Sequence, residues 1–139
     1  MYKKINLQFL ISYLGFLPYL IVIIDKFFLQ QINTKILESF SVYYSIIILV
    51  FIGSLNWNLE EKVSKKKVLY GFLPSFVSVF IIIIYLYDFN VFILLISYLL
   101  IQLFLDYFII YKNGSHQKVY YFVRLPLTIL IVFSLVIIQ

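Results

Sequence analysis

Cysteine and alanine are absent from this chain, and histidine, methionine and tryptophan occur once each. Without cysteine there is no disulfide framework, thiol nucleophile, iron–sulfur cluster or cysteine-based zinc site. The single histidine, His116, falls in a polar stretch and reads as a solvated side chain, so no metal site is expected. Glycine-rich phosphate loops, the His-Glu-x-x-His pattern and the serine nucleophile elbow are also missing, and no cofactor is expected. Charge is scarce as well. Charged residues make up 12% of the chain, whereas a soluble domain carries about a quarter.

What fills the chain instead is apolar bulk: 64% of its residues are hydrophobic and the mean hydropathy is +1.05. A helix crossing the hydrocarbon layer needs roughly 20 mostly apolar residues, with its backbone polar groups satisfied internally. Residues 7–24, 40–57, 68–87, 91–111 and 119–138 each meet that length within one transmembrane domain, 1–139. Stretches such as 46–52 and 80–86 are apolar all round, without the polar face that a helix in a soluble bundle keeps. Strands of about 20 residues would be far too long. The expected fold is all-α, an integral membrane bundle of five transmembrane helices. Lys3 and Lys4 ahead of the first run resemble a signal peptide. The run is long, contains Pro18 and lacks a small-residue cleavage site, so it is expected to stay as a membrane helix.

Basic residues near span ends are retained on the cytoplasmic side. Lys3, Lys4, Lys62, Lys65, Lys66, Lys67, Lys112, Lys118 and Arg124 fall on one side of the five spans, against Lys26 and Lys35 on the other. The amino terminus is therefore expected inside and the carboxyl terminus outside. This arrangement accounts for the net charge of +5 better than a nucleic-acid partner does, and none is expected. Membrane lipids are the expected surroundings, with Lys65, Lys66 and Lys67 able to attract anionic head groups. Tyr43, Tyr44, Tyr85 and Tyr87 are expected at the outer boundary. Trp57, Tyr70, Tyr111, Tyr120 and Tyr121 are expected at the inner one, where amphipathic rings anchor helices.

Interruptions in the apolar runs carry the rest of the information. Gly15-Phe16-Leu17-Pro18 recurs as Gly71-Phe72-Leu73-Pro74, and Leu125-Pro126 opens the fifth span. Pro18, Pro74 and Pro126 should each kink a helix and free the carbonyl four residues earlier, at Leu14, Tyr70 and Phe122. Polar residues inside a membrane usually face the bundle interior or a water-filled cavity. Tyr98, Gln102 and Asp106 recur at i, i+4 spacing and share one helix face, as do Arg124 and Thr128 on the next span. Asp106 precedes Lys112 by the same number of residues that separates Lys118 from Arg124. The two charges thus fall at one depth, roughly 9 Å from those lysines, and an ion pair is expected. Gly53 and Ser54 are small enough for close helix approach. Asn56, Trp57 and Asn58 would add amide and indole groups to one wall of an inward polar cluster.

At these residues the chain resembles a known family. Tyr13-Leu14-Gly15 with Leu17-Pro18, Gly53 through Trp57, Leu73-Pro74, Gln102 with Asp106, and Arg124 with Leu127-Thr128 are similar to the small membrane-protein family named for domain of unknown function 3429. Its mitochondrial inner-membrane members are typified by transmembrane protein sixty-nine. The chain departs from the family pattern at Ser54, at Asn56, where a basic residue or histidine is usual, and at Asn58. The resemblance implies a multispan membrane fold and no established activity.

Three functions are compatible with the sequence. The leading one is a non-enzymatic accessory or assembly partner of a larger membrane complex, associating with other membrane proteins or with itself. A small transporter or channel lined by Gln102, Asp106, Arg124 and Asn56 is an alternative. A lipid-head-group enzyme with Asp106 as base comes last, since one carboxylate without a partner acid, metal or nearby histidine is poor equipment for acid–base work. With no arginine- and serine-rich leader ahead of the first span, a bacterial plasma membrane is the expected location, an organelle inner membrane the alternative.

Overall fold

The computed structural model describes residues 7–54, 64–112 and 117–139. In chain order these form α1 (Leu7–Leu14), α2 (Leu17–Ile24), α3 (Thr34–Ser54), α4 (Lys65–Leu86), α5 (Phe92–Asp106), α6 (Gln117–Val119) and α7 (Leu125–Ile138). Wide turns, whose closing N–H reaches back five residues, occupy Asp25–Leu29, Tyr107–Tyr111 and Tyr120–Arg124. There is no strand among the described residues. Five helical stretches are long and apolar enough to cross a membrane: Leu10–Leu29, Thr34–Ser54, Lys65–Leu86, Phe92–Tyr111 and Gln117–Ile138.

The surface of the spans is apolar, unlike that of a water-soluble protein, and polar side chains lie inside. Ile47, Phe51, Phe104 and Phe133 are all more than 60% exposed within their spans, while Ser41, Ser45, Ser78, Gln102, Asp106, Thr128 and Ser134 are buried. That distribution suits lipid outside and polar contacts inside. The apolar core draws on all five spans, from Tyr19 and Val22 through Leu49, Ile81, Leu95 and Leu99 to Leu135. The second span, α3, lies along α4 and also touches α2, α5 and α7, while α5 packs beside α7.

In a chain without alanine, serine and glycine supply the small residues that let helices approach. Ser41, Ser45, Ser78 and Ser134 stand in the buried faces, and each hydroxyl donates to the carbonyl four residues earlier at 2.7–2.8 Å. The polar group is thereby satisfied within its own helix, and the side chain acts as a compact contact. Gly53 makes the closest approach. A Cβ built there would meet the Gly71 carbonyl oxygen at 2.5 Å and the Pro74 ring at 3.0 Å.

Several expectations are corrected. The second span begins at Thr34 rather than residue 40, taking Lys35 and Glu38 into its opening turns. A helix need not end where the hydrocarbon does, so interfacial charged residues extend it. Tyr44 lies midway along this helix and turns toward its neighbours. Its hydroxyl donates to the Gly15 carbonyl at 2.7 Å and its ring meets Tyr19 edge-on. The first span likewise continues past residue 24 through the wide turn. Buried Asp25 there accepts the Ile32 N–H at 3.0 Å, across a left-handed Gln30, and Lys26 donates to the carbonyl of Ile138.

The three prolines differ in effect. Before Pro18 the helix breaks outright: Gly15 and Phe16 bond three residues back, and Pro18 enters the first turn of α2, where its missing N–H costs nothing. Helix α4 runs through Pro74 without interruption. Pro126 follows the wide turn Tyr120–Arg124, and the Phe122 carbonyl that it frees accepts the Tyr13 hydroxyl.

Candidate functional site

Helix α5 ends on Asp106 and α7 starts immediately after Arg124, so each charge sits at a junction between regular helix and wide turn. Such wide turns recur at functional sites in helices. Because α5 is regular up to Asp106, Tyr98, Gln102 and Asp106 keep their i, i+4 spacing and share a face turned toward the neighbouring helices. Gln102 and Asp106 are each only 2% exposed.

Arg124 Nε donates to Asp106 Oδ2 at 2.6 Å, the one ion pair among the described residues. Asp106 Oδ1 accepts the Tyr70 hydroxyl, which also lies 3.2 Å from the Gln102 carbonyl. Arg124 Nη1 donates to Thr128 Oγ1 at 3.3 Å, and the Tyr120 hydroxyl donates to the Leu103 carbonyl at 3.1 Å. Three spans therefore converge on one carboxylate. Both of its oxygens accept charge-assisted bonds, the strong class of protein hydrogen bond.

Beside the pair lie polar atoms with no described partner: Tyr98 Oη, both amide atoms of Gln102, and Arg124 Nη2. All are buried, which is costly unless a partner is supplied. The structure thus brings together Tyr98, Gln102, Asp106, Arg124 and Thr128, whereas Asn56, Trp57 and Asn58 lie outside the described residues. No group of three or more metal-ligating side chains occurs among the described residues.

Tyr70 was missed. An aromatic residue near a span end reads by default as an interfacial anchor, yet this one is 8% exposed with its hydroxyl on Asp106. Its depth offered a signal: Tyr70 follows Lys65 by five residues, close to the spacing that places Asp106 and Arg124. Tyr120, also assigned to the boundary, is 6% exposed and ties its own span to α5.

No curated protein and no solved structure matches the chain. A family model described as "Protein of unknown function (DUF3429)" matches residues 6–138, nearly the whole length, and the chain belongs to that family.

Proposed function

We propose that this protein is a non-enzymatic membrane-embedded accessory subunit, an assembly partner of a larger membrane complex. The observation that carries the reading is the closure of Asp106: Arg124 and Tyr70 take up both of its oxygens. A carboxylate so engaged fastens spans to one another and meets a protein partner at each oxygen, which weighs against lipid-head-group chemistry. Two open grooves on the surface lie away from this carboxylate, one at the start of α4 and one by Tyr85 and Asp88. No cofactor and no nucleic acid enters this reading; the partners are lipids and membrane proteins, including other copies of the chain. The lysine distribution supports an amino terminus in the cytoplasm and a carboxyl terminus outside. A bacterial plasma membrane fits that bias, with an organelle inner membrane the alternative.

Gentle solubilisation of a tagged chain at native expression level, followed by native gel electrophoresis, should reveal a species much heavier than the 16.6 kDa chain with its detergent. A monomer alone, in several mild detergents, would overturn the proposal.

One observation favours a second reading, a small transporter: the unpartnered Gln102 amide, Tyr98 hydroxyl and Arg124 Nη2 lie beside the ion pair within the bundle. That reading requires reconstituted vesicles to show a solute flux that Asp106→Asn alters, with a monomer or small oligomer sufficing. The assembly reading requires none.

A further inference from the structure

We propose that the groove between the first turn of α4 and the wide turn after α5 binds an anionic phospholipid. It is an open groove of about 610 Å³ lined by Ser64, Lys66, Lys67, Leu69, Phe108 and Ile109. Its two kinds of lining divide as a lipid does. Lys66 and Lys67 present ammonium groups, and a third cation stands at the edge, Lys112 Nζ lying 5.4 Å from the centre of the Phe108 ring. Leu69, Phe108 and Ile109 form an exposed apolar floor.

Charge explains why the occupant is an anion. Lys65, Lys66 and Lys67 fill the first turn of α4, which holds no acidic residue and whose preceding Ser64 makes no side-chain capping bond. The start of a helix is the positive end of its dipole and favours negative side chains. Lysines there are unfavourable for the helix start unless an anion compensates them, and no carboxylate among the described residues pairs with them. A phosphate diester in the groove supplies that charge.

Position explains why the anion carries acyl chains. Both walls are the ends of spans apolar enough to cross a membrane, so the ammonium groups lie where head groups lie and the apolar floor faces the chains. A zwitterionic head group brings its own ammonium toward the lysines and is disfavoured. This inference concerns a different surface from the Asp106 seam and stands whether or not that seam assembles a complex.

The test is native mass spectrometry of the full chain in detergent, with phosphatidylglycerol and phosphatidylcholine supplied at matched concentrations. The expected result is phosphatidylglycerol retained in preference by at least about tenfold, well within what two or three lysines near an anionic surface supply. The Lys66→Gln/Lys67→Gln/Lys112→Gln variant should bring the two lipids near parity, and Phe108→Ser should weaken retention of both. Should the triple variant fail to fold, raising ionic strength on the native protein replaces it, and the preference should shrink as the charges are screened. Equal retention of both lipids by the native chain, or a preference untouched by both the triple variant and salt, would overturn the proposal. Displacement of phosphatidylglycerol by inorganic phosphate alone would also overturn it, in favour of a free-anion site.

Discussion

Asp106→Asn is expected to destabilise the bundle by about 3 kcal/mol or more, the usual cost of removing one partner from a buried ion pair. The loss arises because the Arg124 guanidinium stays where it is, with a side chain only 12% exposed, after its counter-charge has gone. Ordinary interhelical hydrogen bonds in membranes contribute about 0.6 kcal/mol on average, so the effect should stand clear of that background. Tyr70→Phe should cost less, about 1–2 kcal/mol, because it leaves one oxygen of a still-paired carboxylate without its donor. Denaturation of the purified chain in mixed detergent micelles measures both. A loss below about 1 kcal/mol for Asp106→Asn would mean that the charge finds water or another partner when the pair is broken.

The second large effect belongs to Gly53. Gly53→Ala places a methyl group 2.5 Å from a backbone oxygen of Gly71, and no rotation of a side chain can relieve that contact. Helices α3 and α4 must separate, and in lipid the close packing so lost is itself a principal force holding helices together. The expected cost is about 2 kcal/mol for alanine and more for Gly53→Val, in the range of overpacked cores. Neighbouring Ser54 supplies the control. It is exposed, and its hydroxyl bonds to Phe51 of its own helix with no other partner among the described residues, so Ser54→Ala should change stability by less than about 0.5 kcal/mol. Equal tolerance of Gly53→Ala and Ser54→Ala would contradict the close approach.

The existence of five spans was legible because length and apolarity alone decide it, but their ends were not. Thr34 to Ser39 look like loop by composition, since Lys35, Glu38 and Ser39 interrupt the apolar pattern. They are helical because a helix continues into the interface, where Ser39 and Tyr85 meet through their hydroxyls at 2.6 Å. Repeated sequence was a poor guide to local structure. Gly15-Phe16-Leu17-Pro18 breaks its helix, whereas Gly71-Phe72-Leu73-Pro74 lies within a continuous one. The surroundings differ: the Gly15 carbonyl is taken by Tyr44 from outside the helix, while Gly71 and Pro74 are pressed against Gly53. Context of that kind overrides local propensity.

Within the polar seam, Asp106 and Arg124 could be matched from spacing because two antiparallel spans joined by a short loop fix relative depth. The third partner could not. Tyr70 lies on a span separated from Asp106 by a whole helix and its connection, so its spacing from Lys65 gives a depth but not the neighbour that it faces. The wide turns were also hidden. They depend on where a carbonyl finds its donor, and at Phe122 that donor is Tyr13, more than a hundred residues away in sequence.

That the seam fastens the bundle is tested most directly by a double-mutant cycle between Asp106→Asn and Arg124→Gln, read as unfolding free energy in mixed micelles. Each single variant strands one charge; the double variant strands none. The cost of the double should therefore fall short of the sum of the singles by about 2 kcal/mol or more. Additivity within about 0.5 kcal/mol would contradict the account, for it would mean that the two charges stand in contact without depending on each other.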